Sequence, residues 1–246
     1  MRDAPPSAPP IALLAELTHR CPLACPYCSN PLDLLAREAE LDTDTWVRVF
    51  HEAAALGVLQ LHLSGGEPAS RRDLETLVAA ARKAGLYVNL ITSGIGLTAA
   101  RLDAMIDGGL DHIQLSLQGV RAEVADKIGG YTGGFARKLA LADLIAARDI
   151  PLTLNAVMHR HNLDDLPETI AFAARLGARR IEVACVQFYG WGLKNRAALQ
   201  PTRAQVDQAK RVVAAARVEW QGRLAIDFVP PDYYADYPKA CMGGWG

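Results

Sequence analysis

Three cysteines within one short run constrain this chain more than any other feature. They stand in Cys21-Pro-Leu-Ala-Cys25-Pro-Tyr-Cys28. Three thiolates on one loop can hold one metal centre, and no fourth cysteine lies nearby. A [4Fe–4S] cluster normally takes four cysteines, so a cluster held here would keep one iron without a protein thiolate. Such an iron could bind and activate a small ligand, which indicates chemistry rather than a scaffold.

A structural zinc site and a disulfide are the alternatives for these thiols. Zinc in structural sites takes four closed ligands, commonly from paired C-x2-C units. The only near fourth candidate, His19, lies two residues before Cys21 and is poorly placed for the usual spacing. A disulfide would leave an odd thiol. Five cysteines with three of them clustered favour a reducing cytoplasm, where thiolates serve metals more often than disulfides.

Length and composition limit the classes of protein to which this chain can belong. The 246 residues can bury a core without disulfides, as one large α/β domain or two small ones. With 26 Lys plus Arg against 27 Asp plus Glu, the net charge of −1 gives no attraction to nucleic acid or membrane. No apolar run approaches the roughly 20 residues that span a bilayer. Residues 1–10 lack the features of a secretory signal, and we expect a flexible leader there.

Short apolar runs alternate along the chain with longer segments of helical period. Strands are predicted at Ile11–Thr18, Val58–Ser64, Leu86–Thr92, His112–Leu117, Leu152–Val157 and Arg180–Val186. Helices are predicted at Asp42–Leu56, Arg71–Ala84, Thr98–Asp107, Phe135–Ala147 and Leu163–Leu176. Cap residues open several of these helices, and glycines follow their last turns.

The alternation of strands and helices predicts right-handed βαβ units and a parallel sheet. Six units are too few for a closed eight-fold barrel. We therefore expect an α/β fold in the form of a partial (β/α)6 TIM barrel, in preference to a flat doubly wound sheet. The barrel is predicted over residues 11–200. Residues 201–246 are expected to add a helix at Arg203–Trp220, a short strand near Leu224–Phe228 and a tail rich in proline and tyrosine.

Polar residues follow successive predicted strands. Since functional residues of parallel α/β folds gather at the carboxyl ends of strands, these residues should face one mouth. In chain order they are the cysteine run, Gly65-Gly66-Glu67-Pro68, Thr92-Ser93-Gly94, Ser116 and Gln118, Asn155, and Gln187-Phe188-Tyr189-Gly190-Trp191.

Two of these motifs suit a small ligand. Gly65 and Gly66 would let a ligand approach the backbone, and the carboxylate of Glu67 suits an ammonium group rather than a phosphate. The alternative is a tight turn in which Glu67 complements a helix dipole. Tyr27 could stack on a flat ligand or simply pack.

The paired motifs resemble those of the radical S-adenosylmethionine (SAM) enzymes. Cys-x3-Cys-x2-Cys with an aromatic residue before the last cysteine, followed by Gly-Gly-Glu-Pro after the next strand, carries the resemblance over residues 11 to about 190. Further runs resemble members of the family that modify peptides, and they extend the likeness over nearly the whole chain. These runs are Cys28-Ser-Asn-Pro-Leu-Asp33, Gln114-Leu-Ser-Leu-Gln-Gly119, Gln187-Phe-Tyr-Gly-Trp-Gly192 and Ala240-Cys-Met-Gly-Gly-Trp245.

The resemblance implies a role for each matching residue. Cys21, Cys25 and Cys28 would ligate three irons of a [4Fe–4S] cluster, and the fourth iron would bind the amino and carboxylate groups of SAM. Further SAM contacts are implied for Gly65, Gly66 and Glu67 at the ammonium group, Ser116, Gln118 and Asn155 at the ribose and carboxylate, and Tyr27, Val186 and Gln187 at the adenine.

The resemblance also implies a reaction and its partners. One electron from the reduced cluster would cleave SAM to methionine and a 5′-deoxyadenosyl radical, which abstracts hydrogen from the substrate. The implied substrate is a ribosomal precursor peptide in which a glutamate side chain is joined to a tyrosine ring. A small peptide chaperone and an electron donor such as flavodoxin are the implied partners.

Two other functions remain open. The same core occurs in other peptide maturases and in a haem-pathway enzyme. A non-catalytic iron–sulfur sensor is the third possibility, but a sensor needs only the metal loop and not polar residues at successive strand ends.

Members of this kind carry a cysteine-rich C-terminal (SPASM) extension that holds auxiliary iron–sulfur clusters. Cys241 matches the first ligand of that extension, and its remaining partners would belong to a longer chain. Cys241 is therefore expected to be either a lone thiol or part of an auxiliary cluster site. Cys185, inside the sixth predicted strand, is expected to be a buried apolar residue.

Replacing Cys21, Cys25 and Cys28 together by Ala should abolish the cluster, because the loop then offers no thiolate. The measurement is the visible spectrum and iron content after anaerobic reconstitution, with Cys185→Ala as the matched control. A triple variant that kept the charge-transfer absorption and about four irons would contradict the assignment.

Overall fold

The computed structural model describes residues 10–234, which form one curled parallel sheet with helices on its outer face. Within these residues the sheet has seven strands, and they lie side by side in chain order. The strands are β1 Ala12–Glu16, β2 Gln60–Ser64, β3 Tyr87–Thr92, β4 His112–Leu117, β5 Leu152–Met158, β6 Arg180–Cys185 and β7 Ala225–Val229. The predicted half-barrel is thus confirmed, with the six predicted strands at their expected places.

Helices connect the strands across the outer face. They are α1 Thr43–Ala55, α2 Leu74–Lys83, α3 Ala99–Asp107, α4 Ala122–Gly129, α5 Gly134–Ala147, α6 Leu166–Arg175, α7 Gly190–Lys194, α8 Arg196–Leu199 and α9 Arg203–Glu219. Short 3-10 turns lie at Arg37–Ala39, Pro68–Ser70, Leu163–Asp165 and Asp232–Tyr234. In the described part of the chain, no helix has the length and apolar character needed to cross a membrane.

Cap residues explain where several helices begin. The side chain of Asp42 accepts a hydrogen bond from Thr45 N at 2.8 Å and so satisfies one of the free amides at the start of α1. Thr202 and Gln205 form a reciprocal capping box at the start of α9.

The two faces of the sheet differ in character. Side chains on the outer face are apolar and fully buried against the helices, among them Leu61, Leu63, Ile113, Leu154 and Ile181. Alternate side chains on β2, β4 and β6 face the concave side and are only half-buried or exposed. Because a half-barrel leaves its concave face open, polar residues can occupy it without being cut off from water.

The sheet continues past residue 200, where the sequence predicted the barrel to end. The predicted strand near Leu224–Phe228 is β7, and it pairs in parallel with β6. Helix α9 connects β6 to β7 in the same way as the earlier helices connect the preceding strands. The sequence therefore located this unit but did not show that it belongs to the same sheet. The structure also adds α4, α7 and α8, for which no helix was predicted.

Candidate active site: a cysteine loop beside a cavity at the strand ends

A cavity of about 230 Å³ lies at the carboxyl ends of the strands. It brings together all three clustered cysteines and six of the residues predicted to contact a ligand. These are Cys21, Cys25, Cys28, Tyr27, Gly65, Gly66, Ser116, Gln118 and Asn155. The expectation that the strand-end motifs share one mouth is therefore met for these nine residues.

The three cysteines of the loop are not gathered as a site for a single metal ion. Zinc bound by thiolates at about 2.3 Å in a tetrahedron would hold the sulfur atoms about 3.8 Å apart. Among the described residues, no group of three or more His, Cys, Asp or Glu is arranged to hold one metal ion. In an iron–sulfur cluster each thiolate binds a different iron, which requires wider spacing.

Burial controls the charge of these thiols. It raises the pKa of Cys25 to about 11, and it also raises the pKa of Cys21. Both thiols are therefore protonated at neutral pH in the metal-free protein. Binding of iron must displace their protons, since only thiolates ligate metal.

The glycine turn after β2 packs directly against the residues that precede Cys21. Gly66 N donates to Thr18 O at 2.6 Å, and Glu67 N donates to Arg20 O at 2.8 Å. A Cβ on Gly65 would lie 2.4 Å from Thr18 O, and one on Gly66 would lie 2.5 Å from Arg20 O. Gly65 also has a φ of +120°. Only glycine fits at both positions, so the turn fixes the first cysteine beside the cavity.

A partly buried ionic network closes the other end of the cysteine loop. Glu40 accepts hydrogen bonds from Thr18 Oγ1 and from Arg20 Nη2, the latter at 3.2 Å. Arg20 also donates to Ser70 O at 2.8 Å. Burial opposes ionisation of Glu40, but the hydrogen bonds from Arg20 and Thr18 outweigh it and hold its pKa below the usual range. The network ties the segment after the cysteines to the segment before them.

The carboxylate of Glu67 does not face the cavity, which corrects its predicted direct contact with an ammonium group. The side chain is fully buried. Oε1 accepts from Ala69 N at 2.9 Å and Thr92 Oγ1 at 2.7 Å, while Oε2 accepts from Ser93 N at 2.6 Å and from Ser93 Oγ. Since a carboxylate offers about four acceptor positions, Glu67 has no room for a further donor. It joins the turn after β2 to the end of β3.

Gln118 and Tyr27 form a polar group at the cavity wall. Gln118 is 3% exposed, and its Oε1 has no hydrogen-bond partner within the described part of the chain. Burial raises the pKa of Tyr27 well above its usual value, and its hydroxyl interacts with Cys25 and Gln118. The Tyr27 ring lies 5.9 Å from the ring of His159. A buried acceptor without a partner beside a cavity is where a polar ligand group fits.

Two other predicted residues lie away from the cavity or beyond the described chain. Gln187 does not line the cavity, and its Nε2 donates to Cys185 O at 3.3 Å. Cys185 is buried in β6, as expected. Cys241 lies outside residues 10–234, so its predicted role as an auxiliary ligand stays a prediction.

Lys138 is a site residue that the sequence analysis missed. Its Nζ donates to Ser93 O and, at 3.0 Å, to Ser116 O, and so bridges the ends of β3 and β4. Burial lowers its pKa to about 8, although Glu67, Cys25 and Cys21 favour its charged form. The sequence held a signal, since Lys138 occupies the same face of α5 as the buried residues Leu141, Ala142 and Ile145. A lysine on an apolar helix face needs partners.

Known proteins with similar sequences or folds are consistent with this geometry. The sequence profile of the Radical SAM superfamily matches residues 15–173, which is more than half of the chain. The chain belongs to the radical SAM superfamily. Members of this family use a [4Fe–4S] cluster and SAM.

Curated relatives are similar over almost the whole chain. A protein from Ruegeria pomeroyi named PqqA peptide cyclase is 74% identical over 237 residues, covering 96% of this chain and 63% of the relative. Another of that name from Rhizobium meliloti is 62% identical over 245 residues, covering 100% of this chain and 65% of the relative. The radical SAM chain thus spans about two thirds of the length of these proteins.

Solved structures share the fold. Streptococcus suis SuiB bound to S-adenosylmethionine superposes with a TM-score of 0.75 at 19% identity, covering 93% of this chain and 52% of that chain. Native anSMEcpe with bound AdoMet and the Kp18Cys peptide gives 0.72 at 14% identity, covering 89% of this chain and 64% of that chain. At these identities the likeness concerns the radical SAM fold alone.

Glu67→Gln should destabilise the protein even without cofactors, because the amide would place a donor against Ser93 N or Thr92 Oγ1. We expect a loss of about 1–3 kcal/mol for the lost partners of a buried group. Denaturant unfolding of the apoprotein measures it, with Glu123→Gln on the exposed face of α4 as control. If Glu67→Gln weakened SAM binding but left apoprotein stability unchanged, the carboxylate would instead contact the ligand directly.

Proposed function

We propose that this chain is the radical SAM portion of a PqqA peptide cyclase. It would start the formation of a carbon–carbon bond between a glutamate side chain and a tyrosine ring in the PqqA precursor peptide, a step of pyrroloquinoline quinone biosynthesis. The observation that carries the proposal is the shared cavity, where three cysteines meet the glycine turn and the polar residues of β4 and β5. The high identity to relatives of that name supports the substrate.

The residues at the cavity suit a cluster and SAM. Cys21, Cys25 and Cys28 would ligate three irons and leave the fourth open toward the cavity. With SAM bound, the cluster would supply one electron for cleavage of SAM to methionine and a 5′-deoxyadenosyl radical, which would remove a hydrogen atom from the substrate. Within residues 10–234 no cysteine besides these three lines the cavity, so the fourth iron would be left for SAM.

Polar atoms around the cavity would orient SAM. Backbone groups at Gly65 and Gly66 would receive the ammonium group, since both residues line the cavity. Ser116 and Asn155 stand side by side in the register of β4 and β5 and would contact the ribose and carboxylate. Gln118 would gain the partner that its Oε1 lacks, and Tyr27 would border the adenine.

Lys138 would support the same site electrostatically. Its ammonium lies behind the ends of β3 and β4 and interacts with Cys25 and Cys21. A positive charge at this place lowers the cost of holding several thiolates in a buried loop. Lys138 is therefore a positioning residue, because it acts through the strand ends and does not line the cavity.

The partners of the reaction follow from the same proposal. They are the PqqA peptide, a PqqD-type peptide chaperone that presents it, and an electron donor such as flavodoxin, all in the cytoplasm. Auxiliary iron–sulfur clusters would belong to the longer chain of the relatives. The sensor alternative has less support, because a metal loop alone would not need the polar wall formed by Ser116, Gln118 and Asn155.

This chain should cleave SAM when given a strong reductant but should not crosslink the PqqA peptide. The parts proposed to bind SAM lie within residues 10–234, whereas crosslinking also requires removal of a second electron from the substrate radical. The experiment compares this chain with one extended to the length of the relatives, each with reductant, SAM, PqqA and PqqD. Mass spectrometry scores 5′-deoxyadenosine and crosslinked peptide separately.

Two outcomes would contradict this prediction. If neither protein forms 5′-deoxyadenosine, the proposed radical SAM activity is wrong. Crosslinked peptide from the short chain at the rate of the long one would show that the barrel suffices. A Cys25→Ala variant is the control, since it should form neither product.

A further inference from the structure

A row of polar side chains crosses the concave face of the sheet and extends beyond the SAM cavity. Ser116, Asn155, Glu182 and Asp227 are partners in the register of β4, β5, β6 and β7. Side chains at paired positions of parallel strands point to the same face. Ser116 and Asn155 line the cavity, whereas the other two do not. With about 4.8 Å between strands, the row continues for about 10 Å past Asn155.

The two carboxylates of this row differ in their partners. Asp227 forms an ion pair with Arg180, and both side chains are about half exposed. Glu182 Oε2 accepts a hydrogen bond from Gln114 Nε2 at 3.2 Å. Within residues 10–234, no lysine or arginine forms an ion pair with Glu182. Arg180, two residues before Glu182 on the same face of β6, is committed to Asp227, so these three side chains together carry one net negative charge.

A second row of polar side chains crosses the concave face from β2 to β4 and is made by His62, Asn89 and His112. Burial lowers the pKa of His62 and of His112, so both imidazoles on the concave face are neutral at neutral pH. Asn89 is 4% exposed, and its Oδ1 has no hydrogen-bond partner among the described residues. Apart from the Arg180–Asp227 ion pair, this face offers acceptors and the carboxylate of Glu182. It would repel phosphate groups and would suit a ligand that donates hydrogen bonds.

A ligand that covers Glu182 must donate a hydrogen bond to its carboxylate. A half-buried carboxylate keeps its hydration while the half-barrel is open, but a substrate lying over it removes that water. Losing the water without a replacement donor is costly for an ionised group. The substrate that fits here therefore brings a hydroxyl, amide or ammonium group to the free oxygen of Glu182.

We propose that the row from Asn155 to Glu182 is the substrate side of the active site, with Glu182 accepting a hydrogen bond from a side chain of the peptide. This inference rests on the proposed function, since it takes the substrate to be a peptide. Glu182 stands one strand from Asn155, which is proposed to contact the ribose of SAM. The carboxylate thus fixes a substrate group beside the position where hydrogen abstraction starts.

The test measures peptide affinity apart from turnover. The chain is reconstituted anaerobically and saturated with SAM without reductant, and binding of a fluorescently labelled PqqA peptide presented by PqqD is followed by anisotropy. Glu182→Gln should weaken peptide binding about tenfold or more, because a charge-assisted hydrogen bond is lost. Glu182→Asp, which keeps the charge on a shorter side chain, should have an intermediate effect. SAM affinity and thermal stability should not change in either variant.

Glu168→Gln is the matched control, because Glu168 lies on the outer helix α6 and pairs with exposed Arg121. It should bind the peptide like the unmodified chain. If the unmodified chain and Glu182→Gln bind the peptide equally, the inference is wrong while the proposed function stands. If the unmodified chain binds no PqqA peptide, the proposed substrate is wrong and the inference is overturned with it.

Discussion

The contact between the glycine turn after β2 and the backbone before Cys21 is the constraint on which the site depends. The carbonyl oxygens of Thr18 and Arg20 occupy the space where side chains of Gly65 and Gly66 would be. This close approach places the cysteine loop against the wall of the cavity. Without it, the three thiols and the polar residues of β4 and β5 would not face the same space.

Charge in the site is arranged around this contact. Buried thiols resist ionisation, as the raised pKa of Cys25 shows. Lys138 brings a positive charge to the ends of β3 and β4, and Glu67 binds four hydrogen-bond donors from the turn and from β3. Lys138 and Glu67 are thus already partnered within the protein. Gln118 Oε1, in contrast, has no hydrogen-bond partner among the described residues.

The fold could be predicted because its signals are local. Strand β4 has the predicted bounds, since the alternation of Ile113, Leu115 and Leu117 with polar residues marks one buried face. The place of β7 could not be predicted, because its pairing with β6 depends on a contact between segments about 45 residues apart, which a local pattern does not contain.

The sequence indicates which residues follow the strands, but it does not indicate where their side chains point. A motif shows that Glu67 follows a strand, but only the packing of β2 against β3 shows that its carboxylate turns inward to Thr92 and Ser93. Lys138 was missed because it follows no strand and reaches the strand ends from a helix. Glu182 was read as part of a strand, and its relation to Asn155 appears only in the register.

The three cysteines are proposed to leave one iron open to a ligand in the adjoining cavity. Electron-nuclear double resonance on the reduced, reconstituted chain tests this directly, with SAM isotopically labelled at its amino nitrogen and carboxylate oxygens. We expect hyperfine coupling of both labels to the cluster. Coupling that is absent while SAM is bound at saturation would show that the cysteine loop and the cavity do not form one site.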